Sequence, residues 1–286
     1  MTLKGTQVAE MLQHSFFLYA LIAGGLAAGM CSMVGVYVLL KRIVFVGITL
    51  AQLSSAGVAL ALLLDLPPLL LALSATLIGV VFFSQVPANR SIPLEGIIGA
   101  SYALSAVLGI MFIAKNPFGE ARSLNVLFGN ILSVQAGEIV ALALLLAVLL
   151  VLHVVFYKEF LFVSFDYETA LAHGLAARWW NLLLYLTLGL AIAFAIRSMG
   201  VLLVFTFLLV PAMTARLMAG SMTAMFILST VFGVLSVPIG LYLAFRIDLP
   251  TGTTVATASL GLLVLVLATR GVYRLTRRQQ RAFRLL

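Results

Sequence analysis

The chain has 286 residues, 63% of them hydrophobic and only 9% charged, and its formal net charge is +8 at pH 7. A soluble domain would carry about a quarter charged residues, so this composition excludes a water-soluble globular protein. It predicts an all-α, polytopic membrane protein. It also excludes a nucleic-acid binder, because the basic residues have no folded soluble face on which to collect.

Charged residues and prolines divide the chain into nine apolar segments, each compatible with a helix that crosses the ~30 Å hydrocarbon layer. The predicted spans cover residues 15–39, 43–63, 67–84, 94–114, 137–157, 180–196, 200–215, 224–245 and 252–269. Between the fourth and fifth spans, the piece from Leu124 to Leu132 is too short to cross, so we expect a buried or re-entrant helix there. The chain, 1–286, would then form a single transmembrane domain that ends in a basic tail at 270–286.

The basic residues indicate the orientation of the chain. Twelve of the 17 Lys and Arg fall on one side of the predicted spans. Because cytoplasmic loops carry an excess of Lys and Arg, we expect this side to be cytoplasmic, with the N-terminus outside and the C-terminus inside. The twelve residues are Lys41, Arg42, Arg90, Lys158, Arg178, Arg216, Arg270, Arg274, Arg277, Arg278, Arg281 and Arg284.

Ionisable side chains are scarce within the spans, and this scarcity limits how transport could be driven. Glu95 and Glu138 open the fourth and fifth spans, and His153 lies near the end of the fifth. A transporter driven by protons or sodium usually keeps ionisable groups at mid-membrane, which argues against that class. The sequence also lacks the Gly-rich loop followed by Lys and Ser/Thr that cradles ATP phosphates. The chain would then bind no ATP itself, and if it transports uphill, a separate subunit would supply the energy. We also expect no bound cofactor and no enzymatic activity, because no cluster of His or acidic residues falls at the water interface where it could do chemistry.

The stretch from Asp166 to Trp180 is a polar interruption between long apolar runs, and it predicts a short cytoplasmic helix over about 166–176. Asp166 is a good N-cap, Glu168 suits the first turn of a helix, and Gly174 can end it. Four apolar residues at four-residue spacing predict one apolar stripe along this helix. They are Tyr167, Leu171, Leu175 and Trp179. On composition alone, the segment could dock a partner or simply anchor a loop.

Two motifs in the C-terminal half of the chain resemble those of a known family. The pattern Asp-x-Glu-x-Ala-x-x-x-Gly is met from Asp166 to Gly174, and a Gly-x-Leu-Leu-Val run leading to Pro-Ala is met from Gly200 to Ala212. The segments "LFGNIL" (127–132) and "DLPTG" (248–252) fit as well. Together they resemble, nearly end to end, the permease subunits of bacterial ABC importers for zinc, manganese or iron, the ABC-3 family.

The resemblance implies a bacterial inner-membrane importer of a divalent metal ion. Asp166 to Gly174 would be the coupling helix that enters a groove on an ABC ATPase subunit. An extracytoplasmic substrate-binding protein would deliver the substrate, and a second copy of the permease or a close paralogue would complete the pathway within the membrane lipids. The positions carried over to ATPase coupling are Asp166, Tyr167, Glu168, Ala170, Leu171 and Gly174.

The chain departs from the family in the second span. The family pattern Gly-Asp-x-Leu-Ser-His-Ala is replaced by "LAQLSSA", with Ala51 in place of the Asp and Ser55 in place of the His. Gln52, Ser54 and Ser55 offer neutral oxygens instead of the charged carboxylate or imidazole that a bare transition metal prefers. Such residues either line the pathway or hydrogen-bond between packed helices.

We predict a substrate pathway at Gln52, Ser54, Ser55, Glu95 and Asn130, without assigning a metal ligand. The departure permits two interpretations. Either a binding protein selects the metal and the permease provides only a polar path, or the substrate is a metal chelate or another small polar solute. A secondary transporter or channel that needs no ATPase is the alternative class.

Overall fold

The computed structural model describes residues 15–85, 93–116 and 131–283. These residues form ten α-helices, with a short 3-10 helix at Ile131–Ser133, and no strand occurs among them. The helices are α1 Ser15–Leu40, α2 Val44–Leu64, α3 Pro68–Gln85, α4 Leu94–Lys115, α5 Ala136–Val155, α6 Tyr157–Phe165, α7 Tyr167–Ala172, α8 Ala177–Met218, α9 Met222–Ile247 and α10 Thr251–Phe283. The all-α, polytopic class predicted from composition is confirmed.

Eight of these helices are long and apolar enough to cross a membrane. Their ends follow the breaks seen in the sequence: the Lys41-Arg42 pair forms the turn after α1, and Pro68 begins α3 at a position that needs no backbone N–H donor. The fifth span is shorter than predicted, because α5 ends at Val155 and the separate helix α6 follows. The last helix runs past its span to Phe283.

The predicted sixth and seventh spans both lie within α8, a helix of 42 residues interrupted at Gly200. Gly200 has φ +76° and ψ 167°, a backbone conformation open essentially only to glycine. A straight helix would place Leu184 and Ala212 about 42 Å apart. Instead, Leu184 packs with Tyr37 and Ala212 packs with Val36, two adjacent residues of α1. The chain therefore folds back at Gly200, and its two arms run in opposite directions.

This reversal defines the two ends of the helix bundle. We call the end that carries α6 and α7 the short-helix end, and the opposite end the Gly200 end. At the short-helix end, the first arm of α8 contacts Ser84 and Gln85 of α3. At the Gly200 end, Arg197 pairs with Glu138 of α5. With the two arms of α8 counted separately, the eight apolar helices make nine passes.

α2 and α8 form the centre of the bundle. In an 18-residue apolar stretch of each of these helices, 72% of the stretch is buried, against 17% in the corresponding stretches of α4 and α5. Small residues allow the central helices to approach closely. A side chain at Gly35 of α1 would collide with the Leu208 carbonyl of α8, and one at Gly57 of α2 would collide with the Leu71 carbonyl of α3. α2 and α3 therefore pack backbone against backbone.

The predicted re-entrant segment is described only at its end. Ile131 is 1% exposed and packs against Gly24 of α1 and near Val237 of α9. The rest of that segment, including the predicted pathway residue Asn130, lies outside the described residues.

Candidate functional site

The short helix α7 begins as the sequence predicted, with Asp166 as its N-cap. The carboxylate of Asp166 accepts a hydrogen bond from the Thr169 backbone N–H at 3.0 Å and a second from the Thr169 hydroxyl at 2.5 Å. The Thr169 hydroxyl, followed by its backbone N–H, lowers the pKa of Asp166 below its usual value. The cap therefore remains ionised at neutral pH, where its charge favours the N-terminus of the helix.

The predicted end of this helix at Gly174 is also confirmed. Gly174 has φ +80°, and two backbone hydrogen bonds close the turn, from Gly174 N–H to the Leu171 carbonyl and from Leu175 N–H to the Ala170 carbonyl. This is a Schellman motif, which satisfies the last carbonyls of a helix and favours glycine at the left-handed position. The segment from Asp166 to Gly174 thus carries its own start and stop signals.

The predicted apolar stripe is wrong in two of its four positions. Tyr167 and Leu175 pack against a buried cluster, whereas Leu171 is 51% exposed and Trp179 is 70% exposed. The stripe assumed one continuous helix, but the turn at Gly174 ends α7 and Trp179 belongs to the next helix. Leu171 therefore points outward at the end of the bundle, beside the exposed carboxylate of Glu168.

A buried apolar cluster holds this end of the molecule together. It joins Val163 of α6, Ala170 of α7 and Ala177 of α8, with Tyr167, Leu175 and Trp180 packed around it. We call α6, α7 and the first two turns of α8 the short-helix unit. Sequence analysis missed α6 because its mixed residues, "YKEFLFVSF", carry neither a clear apolar stripe nor a capping signal.

The predicted pathway residues of α2 lie inside the bundle. We call Gln52, Ser54 and Ser55 the polar patch; these residues are 9%, 0% and 4% exposed. Gly47 faces Leu208 of α8, and Ser54 follows Gly47 two helical turns later, so Ser54 lies towards the same side of α2. The Ser54 hydroxyl is fully buried and has no hydrogen-bond partner among the residues that the structure describes. A buried, unpaired hydroxyl costs free energy and calls for an explanation.

The remaining ionisable candidates do not converge on the polar patch. Glu95 is exposed in the first turn of α4, and Glu138 pairs with Arg197 at 2.8 Å at the Gly200 end. His153, in the last turn of α5, is 4% exposed and stacks on Phe160 with ring centroids 4.8 Å apart. Within residues 15–85, 93–116 and 131–283, no three His, Cys, Asp or Glu side chains come together as a metal site.

A cavity of about 410 Å³ opens between α1, α5 and α9. Its walls are almost wholly aliphatic, and the hydroxyl of its one polar side chain, Thr230, already donates to the Phe226 carbonyl. This cavity offers nothing to a cation and lies apart from the polar patch.

Comparisons with known proteins agree with this architecture. The sequence profile of the ABC 3 transport family matches residues 13–270. A probable iron transport system membrane protein of Haemophilus influenzae is 25% identical over 273 residues, which is 96% of each chain. The manganese import system permease protein ScaB of Streptococcus parasanguinis is 29% identical over 262 residues, which is 90% of each chain.

Two solved structures have the same fold. PsaBC of Streptococcus pneumoniae, solved in complex with a Fab, superimposes with a TM-score of 0.81 at 27% identity and covers 91% of this chain and 95% of its own. An inward-facing ABC transporter of the metal-chelate type superimposes with a TM-score of 0.68 at 16% identity, covering 88% and 86%. The second likeness is one of fold alone.

Proposed function

Because the chain belongs to the ABC 3 transport family, we propose that it is the permease subunit of an ABC importer that moves a divalent metal ion into the cytoplasm. The observation that carries this proposal is the match over residues 13–270, together with relatives named for manganese and iron transport. Manganese, iron and zinc are the candidate substrates. The chain is a transport subunit and not an enzyme.

The energy for transport would come from a separate ATPase subunit bound at the short-helix end. Support comes from α7, whose caps hold it in one conformation while Leu171 and the carboxylate of Glu168 face outward. Phe165 and Trp179 add exposed apolar surface on either side. A cluster of exposed apolar groups at a water-facing end is typical of a surface that binds another protein.

We place the short-helix end in the cytoplasm. Lys41, Arg178 and Arg216 lie at this end. The sequence predicts the six arginines of the tail at 270–286 on the same side. This excess of basic residues is what the positive-inside rule associates with the cytoplasmic face. The Gly200 end, with its Glu138–Arg197 pair, would then face the substrate-binding protein.

The polar patch and Ala51 bear on how the substrate is selected. Neutral oxygens from Gln52, Ser54 and Ser55 can replace part of an ion's hydration shell but bind a transition metal weakly. We therefore assign metal selectivity to the binding protein and a polar path to the permease, with Glu95 and Asn130 as further candidates along it. Two permeases, identical or closely related, would form the complete pathway, and ATP-driven closure of the ATPase pair would alternate its opening.

A second candidate substrate is a metal chelate, and the specific observation that favours it is the absence of an ionisable ligand at Ala51 and Ser55. A chelate brings its own metal ligands, so its path needs hydrogen-bonding groups and no coordinating side chains.

The test is uptake into vesicles that contain the permease, its ATPase and the loaded binding protein. We expect ATP-dependent accumulation of manganese, iron or zinc, with none when the ATPase carries an inactivated site. Accumulation of chelates only would establish the second candidate. Uptake that needs an ion gradient and no ATPase would refute the proposal in favour of a secondary transporter.

A further inference from the structure

Lys41 makes an unusual contact at the short-helix end. It lies in the turn between α1 and α2, and its Nζ donates a hydrogen bond to the Val163 carbonyl, 3.2 Å away in the last turn of α6. No Asp or Glu among the described residues lies within ion-pair distance of it. Burial lowers the pKa of Lys41 to about 8, so the amine is still mostly protonated at neutral pH.

The contact is favourable because of where Val163 sits. The last carbonyls of a helix have no partner within the helix and carry partial negative charge. A lysine ammonium satisfies one of them and complements the helix dipole. Lys41 therefore binds the α1–α2 turn to the α6 end of the short-helix unit, three residues before the N-cap Asp166.

A second set of polar contacts holds the other end of the same unit. Asn181 of α8 donates from Nδ2 to the Ser84 carbonyl at 3.3 Å, and Arg178 donates to the Gln85 side-chain oxygen at 3.3 Å. Ser84 and Gln85 end α3. The short-helix unit is thus linked to the α1–α2 turn on one side and to the end of α3 on the other.

α2 and α3 are packed with their backbones in contact. Gly57 of α2 lies against the Leu71 carbonyl of α3, and Gly79 of α3 lies against Leu50 and Leu53 of α2. Close-packed helices transmit a shift instead of absorbing it. A displacement of the short-helix unit would therefore reach the pair that contains the polar patch through both links.

We propose that Lys41 is a positioning residue that transmits movement of the ATPase-bound short-helix unit to the α2–α3 pair. This proposal rests on the proposed function, since it requires an ATPase at the short-helix end. It gives Lys41 a role separate from docking, because Lys41 is half-buried and bonded to the Val163 carbonyl, whereas Leu171 and Glu168 are exposed. Loss of Lys41 should uncouple ATP hydrolysis from transport and leave the complex assembled.

The test compares Lys41→Met, Lys41→Arg and Arg42→Met in the reconstituted complex. Methionine keeps the length of the side chain without the cation, arginine keeps a cation, and Arg42 is the exposed neighbour that serves as the control. For Lys41→Met we expect unchanged ATPase binding and hydrolysis, with about five-fold fewer ions moved per ATP. Lys41→Arg should recover most of that ratio, and Arg42→Met should match the unmodified chain.

A purely structural role for Lys41 predicts a different result. Transport and ATP hydrolysis would then fall together with the amount of folded complex, and the number of ions moved per ATP would not change. That result would overturn the proposal, as would a Lys41→Met variant that matches Arg42→Met. If the unmodified chain itself fails to bind an ATPase, the proposed function fails instead, so the two failures are distinguishable.

A direct measurement of movement covers the case in which Lys41→Met assembles poorly. An environment-sensitive fluorophore at Leu66→Cys, a residue about half exposed, reports on the far end of α2. We expect a non-hydrolysable ATP analogue to change the emission at position 66 in the unmodified background. This change should be lost in whatever Lys41→Met complex is recovered and retained in Lys41→Arg. An unaltered response at position 66 in Lys41→Met would overturn the proposal.

Discussion

The segment from Asp166 to Gly174 and the polar patch on α2 differ in how their polar groups are satisfied. In the segment, the hydrogen bonds that begin and end α7 join residues a few positions apart, and Leu171 remains exposed. In the patch, the Ser54 hydroxyl is buried and finds no hydrogen-bond partner within the described part of the chain. A motif that is satisfied locally can be read from the sequence, whereas the role of a buried polar group depends on what moves around it.

The sharpest way to test the docking half of this comparison is to charge its exposed apolar residue. Leu171→Arg should weaken ATPase binding about tenfold or more, since an apolar anchor at the centre of an interface contributes strongly to affinity. Leu249→Arg is the matched control, because Leu249 is 49% exposed, against 51% for Leu171, and follows α9 at the opposite end. Co-purification with the ATPase measures the effect. Equal losses for both variants would remove α7 from the docking surface.

The backbone of the segment provides the next test. A Cβ added at Gly174 would meet only open space, but the residue has φ +80°, so Gly174→Ala should cost about 1 kcal/mol through backbone strain alone. Gly220 also has open space and no positive φ, so Gly220→Ala should be close to neutral. Thermal unfolding of the purified complex, together with ATPase binding, would measure the difference. If both substitutions are neutral, the conformation at Gly174 does not matter for this end of the molecule.

The N-cap should give a smaller effect. Asp166→Ala removes the acceptor for the Thr169 N–H and should weaken ATPase binding a few-fold by fraying α7. Asp166→Asn keeps an oxygen acceptor and should bind nearly as well as the unmodified chain. Because the pKa of Asp166 is lowered, the stabilisation from its charge is present above the usual aspartate pKa and is lost only as the pH falls through the lowered value. Binding that changes around neutral pH would therefore have another cause.

Sequence reasoning succeeded where one helix contains its own signals. The spans, the N-cap at Asp166 and the stop at Gly174 all follow from apolar length and capping chemistry. It failed where the exposure of a side chain depends on the helical phase or on contacts with residues distant in the sequence. The exposure of Trp179 depends on a turn that breaks the helical period, and the burial of His153 depends on Tyr37 and Phe160, which lie on other helices.

Gly200 illustrates the same limit. The sequence indicated one span before this residue and one after it. The contacts of α8 with α1 place the two arms of α8 side by side, running in opposite directions. What the sequence could not supply is the sharpness of the reversal, since a single residue with φ +76° and ψ 167° takes the place of a loop. The pathway residues remain predictions for a related reason, because Ser54 and Ser55 are placed by their neighbours rather than by a local motif.

A substitution in the polar patch tests the other half of the comparison, and its expected effect on folding is the smallest. Ser54 and Ser229 are both 0% exposed, but the Ser229 hydroxyl donates to the Ser32 carbonyl at 2.7 Å, whereas no described residue bonds the Ser54 hydroxyl. Ser229→Ala should therefore lower the free energy of unfolding by about 1 kcal/mol, and Ser54→Ala should leave it unchanged or raise it slightly.

Transport then decides what the unpaired hydroxyl is for. If the polar patch lines the path, the Ser54 hydroxyl finds its partner in the passing substrate or in a second conformation, and Ser54→Ala should slow uptake a few-fold at unchanged stability. Ser229→Ala should change uptake only in proportion to the folded complex. Uptake and unfolding measured on the same preparations separate the two effects. Ser54→Ala with normal uptake and unchanged stability would assign the patch to helix packing, and the path would have to be sought at Glu95 or elsewhere in the bundle.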